Sequence, residues 1–387
     1  MKISQSVNRL GSEAVYNIFS KTKKLIKQGK EIIDLSLGQS DFKSPQHAVD
    51  AAIQALKDGH HGYTLPNGTI ECREAVSRKI KSLYKADVEP ERIIIMPGGK
   101  PTMYYAISFF GEPGSEIIFP DPGFPIYRSM INFTGAKAVS YDMTENKNFS
   151  INPDKILSLI NEKTRLLILN NPHNPTGGFT SKNTIDKLAE GLKKYPNVVI
   201  LSDEVYDRLI FDNKEIPTFL NYPNLYDRLI ILNGWSKTYA MTGWRLGWSV
   251  WPKKLIEHVF KFCVNTHSCV NTPAQYGAIA ALDGPEDHLH NMMKEFDIRR
   301  KLIVDGLRNL KGVECSLPGG SFFVFPNIKK TGMNGEEFTE KCLKEAGVAV
   351  IPGTAFGEFA KYNIRFNFAT SRANISKAIE KIDKILK

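Results

Sequence analysis

The chain has 387 residues, 42% of them hydrophobic and 24% charged, which suits a globular protein of one large or two ordinary domains and excludes a disordered or collagen-like one. Its formal charge of +10 raises binding to nucleic acid or an anionic surface, but the densest basic run, Lys21, Lys23, Lys24, Lys27 and Lys30, alternates with Leu25 and Ile26 and reads as the solvated face of an amphipathic helix. No compact basic–aromatic module, no apolar run of about 18 residues and no signal-peptide core occur, so neither nucleic acid nor a membrane is expected as a partner.

From the N-terminus, Leu10, Ala14, Val15, Ile18, Leu25 and Ile26 keep a helical period that Gly29 would end. Residues 32–37 look extended and run into LSLGQSDF, where Gly38 allows either a close backbone approach to a ligand or an ordinary strand-ending turn. Ser44 and Pro45 have the residue types of an N-cap and a first helical position, which predicts a helix to about Lys57, closed by Gly59. The loop HGYTLPNG carries Tyr63. RIIIM, residues 92–96, is a β-branched strand followed by PGGKPTMYY, a double glycine opening a helix at about Lys100. Backbone N–H groups and the positive end of the helix dipole would face an anion there, although glycines also simply make turns.

Residues 117–119 form a short strand leading into PDPGFPIY, which holds Phe124. Residues 165–169 form a strand ending in NNPHNPTGG, with Asn174, and residues 198–201 one ending in SDEVYDRL, with Asp203 and Tyr206. The apolar run 229–232 leads into NGWSKTYAMTGWRLGW, in which Arg245 follows Lys237 by eight residues. A lysine becomes a nucleophile only when its amine loses its proton, and partial burial and a nearby cation both favour that. A neutral amine so placed is suited to forming a Schiff base with an aldehyde. Residues 247–251 read as a strand, 253–263 and 273–282 as helices, and 286–310 as one long helix. Residues 313–316 and 321–325 read as a hairpin around LPGG, 336–345 as a helix, and NIRFNFATS as a strand holding Arg365. Strands alternating with helices predict an α/β fold with a mainly parallel sheet, which binds ligands at the carboxyl ends of its strands. Five cysteines in no CxxC or Cys/His spacing read as free thiols in a reducing, cytoplasmic setting, with no metal site.

The segment SKTYAMTGWR after a strand, preceded in order by NPTG and SDEVY, resembles the class I/II aminotransferases, which carry pyridoxal 5′-phosphate on fold type I. The resemblance spans residues 35–371. It implies a large cofactor domain of residues 46–283, a small α/β domain of residues 1–45 and 284–387, and a homodimer with its sites at the interface. By the same resemblance Lys237 holds the cofactor as an internal aldimine, with Ser236 among the cofactor contacts. Arg245, the backbone N–H groups of Gly99 and Lys100, and Tyr63 of a neighbouring subunit bind its phosphate. Phe124 stacks on the ring, Asn174 and Tyr206 bond the phenolic oxygen, and Asp203 keeps the ring nitrogen protonated. Gly38, Asn174 and Arg365 receive the substrate α-carboxylate. The implied reaction moves an amino group from an amino acid to a 2-oxo acid by a ping-pong route with Lys237 as proton carrier. A pyridoxal-phosphate-dependent lyase on the same fold is the alternative. The amino acid itself is not implied. By analogy its side chain would meet residues 15–19, 39–42, Phe124 and residues 265–268.

Overall fold

In the computed structural model residues 1–11, 14–143 and 148–387 are described, the side chains of residues 14 and 15 excepted. A short β1 (Ile33–Asp34) precedes the strands of the central sheet. These are β2 (Ile93–Met96), β3 (Glu116–Asp121), β4 (Lys137–Asp142), β5 (Thr164–Asn170), β6 (Val199–Asp203), β7 (Leu229–Gly234) and β8 (Gly247–Val250). Their order is β2-β8-β7-β6-β5-β3-β4, and of these seven strands β8 alone runs against the rest. The inner strands β5, β6 and β7 are largely apolar because both their faces are covered, while the edge strand β4 is only half-buried. Alternate residues serve two cores: Ile93, Ile95 and Leu167 pack on one side, Ile94, Met96 and Leu166 on the other.

Register brings the functional edge into line. Asn170 pairs with Asp203, Asp203 with Leu232, and Gly234 with Gly247. The carboxyl ends of β5 and β6 are therefore level, and β7 runs two residues further, to the level at which the reversed strand β8 starts.

A further core joins β1 to the later part of the chain. It includes β9 (Phe323–Val324), β10 (Val348–Ala349), β12 (Ile364–Asn367) and the helices Asp287–Arg308 and Arg372–Leu386. The first of these helices buries Leu289, Met292, Phe296, Ile303 and Leu307, a spacing of three, four and seven that keeps one stripe inward. β11 (Ile351–Pro352), β12 and β9 form a three-stranded antiparallel sheet, and β1 pairs in parallel with β10. Among the described residues no helix is long and apolar enough to cross a membrane.

Two local expectations give way. Ser44 is not a cap: the helix Gln46–Lys57 has Pro45 at its N-cap without a side-chain bond. The Ser44 hydroxyl is committed elsewhere, donating to the Ala240 carbonyl at 3.2 Å and accepting from Trp244 Nε1 at 3.1 Å. The hairpin around LPGG is also absent. Glu314 makes an isolated bridge to Asn327, and β9 pairs with β12. The glycine pair docks instead on the NPTGG turn, with Gly319 and Gly320 N–H donating to the Gly177 carbonyl at 2.9 and 3.1 Å.

Candidate active site

Lys237 lies three residues beyond the end of β7, in a turn directed back over the sheet edge. Its Nζ donates to the Gly38 carbonyl at 2.5 Å and sits 5.9 Å from the Tyr206 ring centre and 5.6 Å from that of Phe322. The Gly38 backbone is thus set beside the lysine amine. Burial, reinforced by the Arg365 and Arg245 cations, lowers the Lys237 amine to about 8, while the Asp203 carboxylate works in the opposite direction. Near neutrality an appreciable share of this amine is uncharged.

Asp203 ends β6 and is 3% exposed. Oδ2 accepts a hydrogen bond from the Tyr127 hydroxyl at 2.5 Å, and Oδ1 accepts one from the Val205 N–H at 3.3 Å. Burial raises the carboxyl to about 6, and the hydrogen bonds and Lys237 restrain that rise. Tyr127 is a site residue that the motifs did not reveal. It stands three residues after Phe124, on the helix Pro125–Thr134, and the two rings meet edge to face at 6.0 Å. That spacing within PDPGFPIY was its only signal. Asn170 was missed as well. From the end of β5 its Nδ2 donates to the Asp203 carbonyl at 3.0 Å, and its Oδ1 accepts the Asn174 N–H at 2.9 Å, which ties the NPTG turn to the aspartate.

Arg365 is carried by β12 into the same space and is buried. Nη1 donates to Asn174 Oδ1 at 3.1 Å and Nη2 to the Ser36 carbonyl at 2.5 Å. Its guanidinium lies over the rings of Phe323 and Phe356, 4.5 and 4.7 Å from their centres. Tyr206 is buried against Phe322 and Phe323, and burial pushes its phenol well above the ordinary range.

An anion cradle forms beside these groups. Arg245 just precedes β8 and adopts a left-handed backbone conformation at φ +55°, with Nη1 bonded to the Thr242 carbonyl at 2.8 Å and Nη2 near that of Pro97 at 3.5 Å. A Cβ on Gly98 (φ +87°) would lie 2.1 Å from Arg245 Nη2, so this turn requires glycine. Gly99 is the N-cap of the helix Lys100–Phe110, whose positive end thus meets the guanidinium. The Lys100 ammonium lies 5.7 Å from the Phe124 ring centre and 5.4 Å from that of Tyr16. Ser236 is half-buried next to Lys237. Tyr63 is 92% exposed and is not brought to this site within one chain. Of the side-chain pocket read by analogy, Val15 falls outside the described side chains. No cluster of His, Cys, Asp or Glu among the described residues could hold a metal ion.

This architecture is fold type I of the pyridoxal 5′-phosphate-dependent enzymes. It superimposes on the aspartate aminotransferase of Thermus thermophilus with maleate at a TM-score of 0.94 and 29% identity, covering 100% of both chains. The chain belongs to the family Aminotransferase class I and II, which residues 30–382 match, and it is a pyridoxal 5′-phosphate-dependent aminotransferase. It is 38% identical to a probable aspartate aminotransferase of Methanocaldococcus jannaschii, over 92% of this chain and 93% of the relative. To aromatic-amino-acid aminotransferase 2 of Thermococcus litoralis it is 34% identical, over 100% of this chain and 99% of the relative. The residues present suit the cofactor: a buried carboxylate with no salt-bridge partner among the described residues is matched to a protonated ring nitrogen, and the Gly98 turn with Arg245 is matched to a phosphate.

Proposed function

We propose that Lys237 is the residue that bonds the cofactor and carries the proton, and that the donor substrate is an amino acid of the aspartate or aromatic type. The observation behind this is the Lys237 amine, lowered to about 8 and set among Asp203, Arg365 and the Gly38 carbonyl. The bound cofactor supplies an electron sink that acidifies the substrate Cα–H bond. Lys237 Nζ, uncharged, takes that proton as a general base. Asp203, oriented by Tyr127, holds a proton on the ring nitrogen. Arg365 offers its planar fork to the α-carboxylate, as its geometry favours. Asn174, whose Oδ1 is engaged by Arg365, keeps its NH₂ as a donor to the phenolic oxygen together with Tyr206. Arg245 and the Gly99–Lys100 helix start hold the phosphate, with Ser236 beside them, and Phe124 stacks on the ring and excludes water.

Exposed Tyr63 suits a homodimer in which it reaches the partner's phosphate site. A large domain of residues 46–283 and a small one of residues 1–45 and 284–387 suit a core built mostly from β1 and the later strands and helices, which Tyr206, Leu209 and Phe211 join from the large domain. Five free cysteines suit a cytoplasmic enzyme. Absorbance spectra with a panel of amino acids test the reading. The cofactor band in the visible should move to the near-ultraviolet with aspartate or an aromatic amino acid, and Lys237→Ala should abolish the change. A Lys237→Ala protein with parental turnover overturns the assignment.

A further inference from the structure

Asp121 ends β3 and is 1% exposed, yet no step above uses it. Its Oδ2 accepts from Arg128 Nη2 at 2.8 Å and from the Glu358 N–H at 3.2 Å, and its Oδ1 accepts from the Phe359 N–H at 3.4 Å. Arg128 Nη1 also donates to Glu358 Oε1 at 2.7 Å. A backbone bond runs alongside, from the Gly123 N–H to the Phe356 carbonyl at 2.8 Å. The approach is so close that a Cβ on Gly357 would lie 1.8 Å from Asp121 Oδ1. The two tied segments carry two different parts of the site. One is the turn that ends in Phe124, and the other is the loop whose Phe356 ring lies against the Arg365 guanidinium. Phe124 and Phe356 line one open cavity of about 300 Å³, and Arg128, Gly357 and Glu358 form part of its wall.

We propose that Asp121 is a positioning residue: its buried carboxylate clasps the 356–359 loop to the Phe124 turn and so sets the place of Arg365 relative to the ring that Phe124 covers. The inference rests on the roles proposed above for Phe124 and Arg365. The bonds of Asp121 run to Arg128, Glu358 and Phe359, so its effect passes through them. Removing it leaves the Arg128 guanidinium and two backbone N–H groups without their shared acceptor, so the loop loosens and Arg365 loses the packing of Phe356. Capture of the donor carboxylate weakens while cofactor retention, held by Lys237 and Arg245, persists.

The test uses the whole protein with Asp121→Ala and, independently, Gly357→Ala, whose new Cβ displaces the carboxylate. Hydrogen exchange in the cofactor-free protein reads the clasp directly. The Gly123, Glu358 and Phe359 amides should exchange about tenfold faster or more, as expected for loss of a charge-assisted bond. In the loaded enzyme the donor KM should rise by about tenfold with kcat and the cofactor band little changed. The double variant should be no worse than Asp121→Ala alone, because both changes break one contact. Arg128→Gln, made at a side chain 37% exposed, reads the same signature if the buried change prevents folding. Parental exchange and parental donor KM in folded variants overturn the proposal, as does a loss of kcat and cofactor in equal measure. A parental enzyme whose band no amino acid shifts would instead overturn the functional reading, and the exchange measurement would still judge the clasp.

Discussion

Replacing Asp203 by Asn should stabilise the cofactor-free protein at neutral pH while weakening its hold on the cofactor. The carboxyl is buried, and burial lifts its pKa from 3.8 to about 6. An unfolded chain ionises this group freely near 3.8, whereas the folded chain resists ionisation until about 6. A raised carboxyl pKa therefore adds no penalty below the unfolded value, and an increasing one as the pH climbs through the folded value. The difference between the two values corresponds to on the order of 3 kcal/mol, fully expressed above about pH 7. Asn has no proton to lose and retains an oxygen for the Tyr127 hydroxyl. Asp207, raised by burial to about 6, is common to both proteins and cancels, whereas Glu204, raised to about 7 by burial and in smaller part by Asp203, is itself relieved in the variant, which acts in the same direction. Urea unfolding of cofactor-free parent and variant at about pH 4.5 and about pH 8 measures the difference, which should grow in favour of the variant by roughly 2 kcal/mol, because the unfolded carboxyl is already mostly ionised at the lower pH. A difference that does not change with pH refutes the idea of an uncompensated carboxylate. With cofactor present, the variant should release it more readily on dilution.

Two further outcomes bear on the site. Burial and the neighbouring arginines place the Lys237 amine at about 8, and only the neutral amine attacks, so attachment of added cofactor to the cofactor-free protein should quicken with rising pH and level off above that value. Stopped-flow growth of the visible band checks this, and a flat profile from about pH 6 to 9 contradicts it. Tyr63→Ala and Lys237→Ala proteins, each poorly active alone, should regain about a quarter of parental activity when mixed and allowed to exchange subunits, since random pairing gives hybrids with one intact site. No recovery in a mixture shown to contain hybrids argues against a shared site.

Lys237, Asp203 and Arg365 were legible because each follows or occupies an unmistakable strand, and strand ends converge in an α/β sheet. Tyr127 and Asn170 were not, because their work depends on what lies across the sheet edge. A tyrosine one turn into a helix and an asparagine inside an Asn/Pro-rich turn have local explanations that suffice without a partner. Ser44 shows the opposite error: its local chemistry was complete as a cap, and tertiary contacts with Ala240 and Trp244 overrode it. The hairpin failed for a related reason. LPGG has the residues of a turn, but its free amides found the Gly177 carbonyl, distant in sequence, and β9 paired with β12. Strand β4 and the helix Pro125–Thr134 were passed over. The first begins with an exposed lysine and is only half-buried along most of its length, and the second starts in a segment rich in Pro and Gly.

The reversal of β8 makes the segment between Gly234 and Gly247 a self-contained cassette. Because those two glycines are partners, residues 235–246 leave the sheet and rejoin it at one level. Both the Lys237 amine and the Arg245 guanidinium travel on that detour. Its ends are pinned by two indoles, Trp235 Nε1 on the Ala278 carbonyl at 3.0 Å and Trp244 Nε1 on Ser44 Oγ at 3.1 Å. The length of the segment is consequently a chemical quantity: one residue more or fewer moves one functional group relative to the other. A protein engineer could exchange such a segment whole between relatives, whereas trimming or extending it would unpick the spacing between amine and guanidinium.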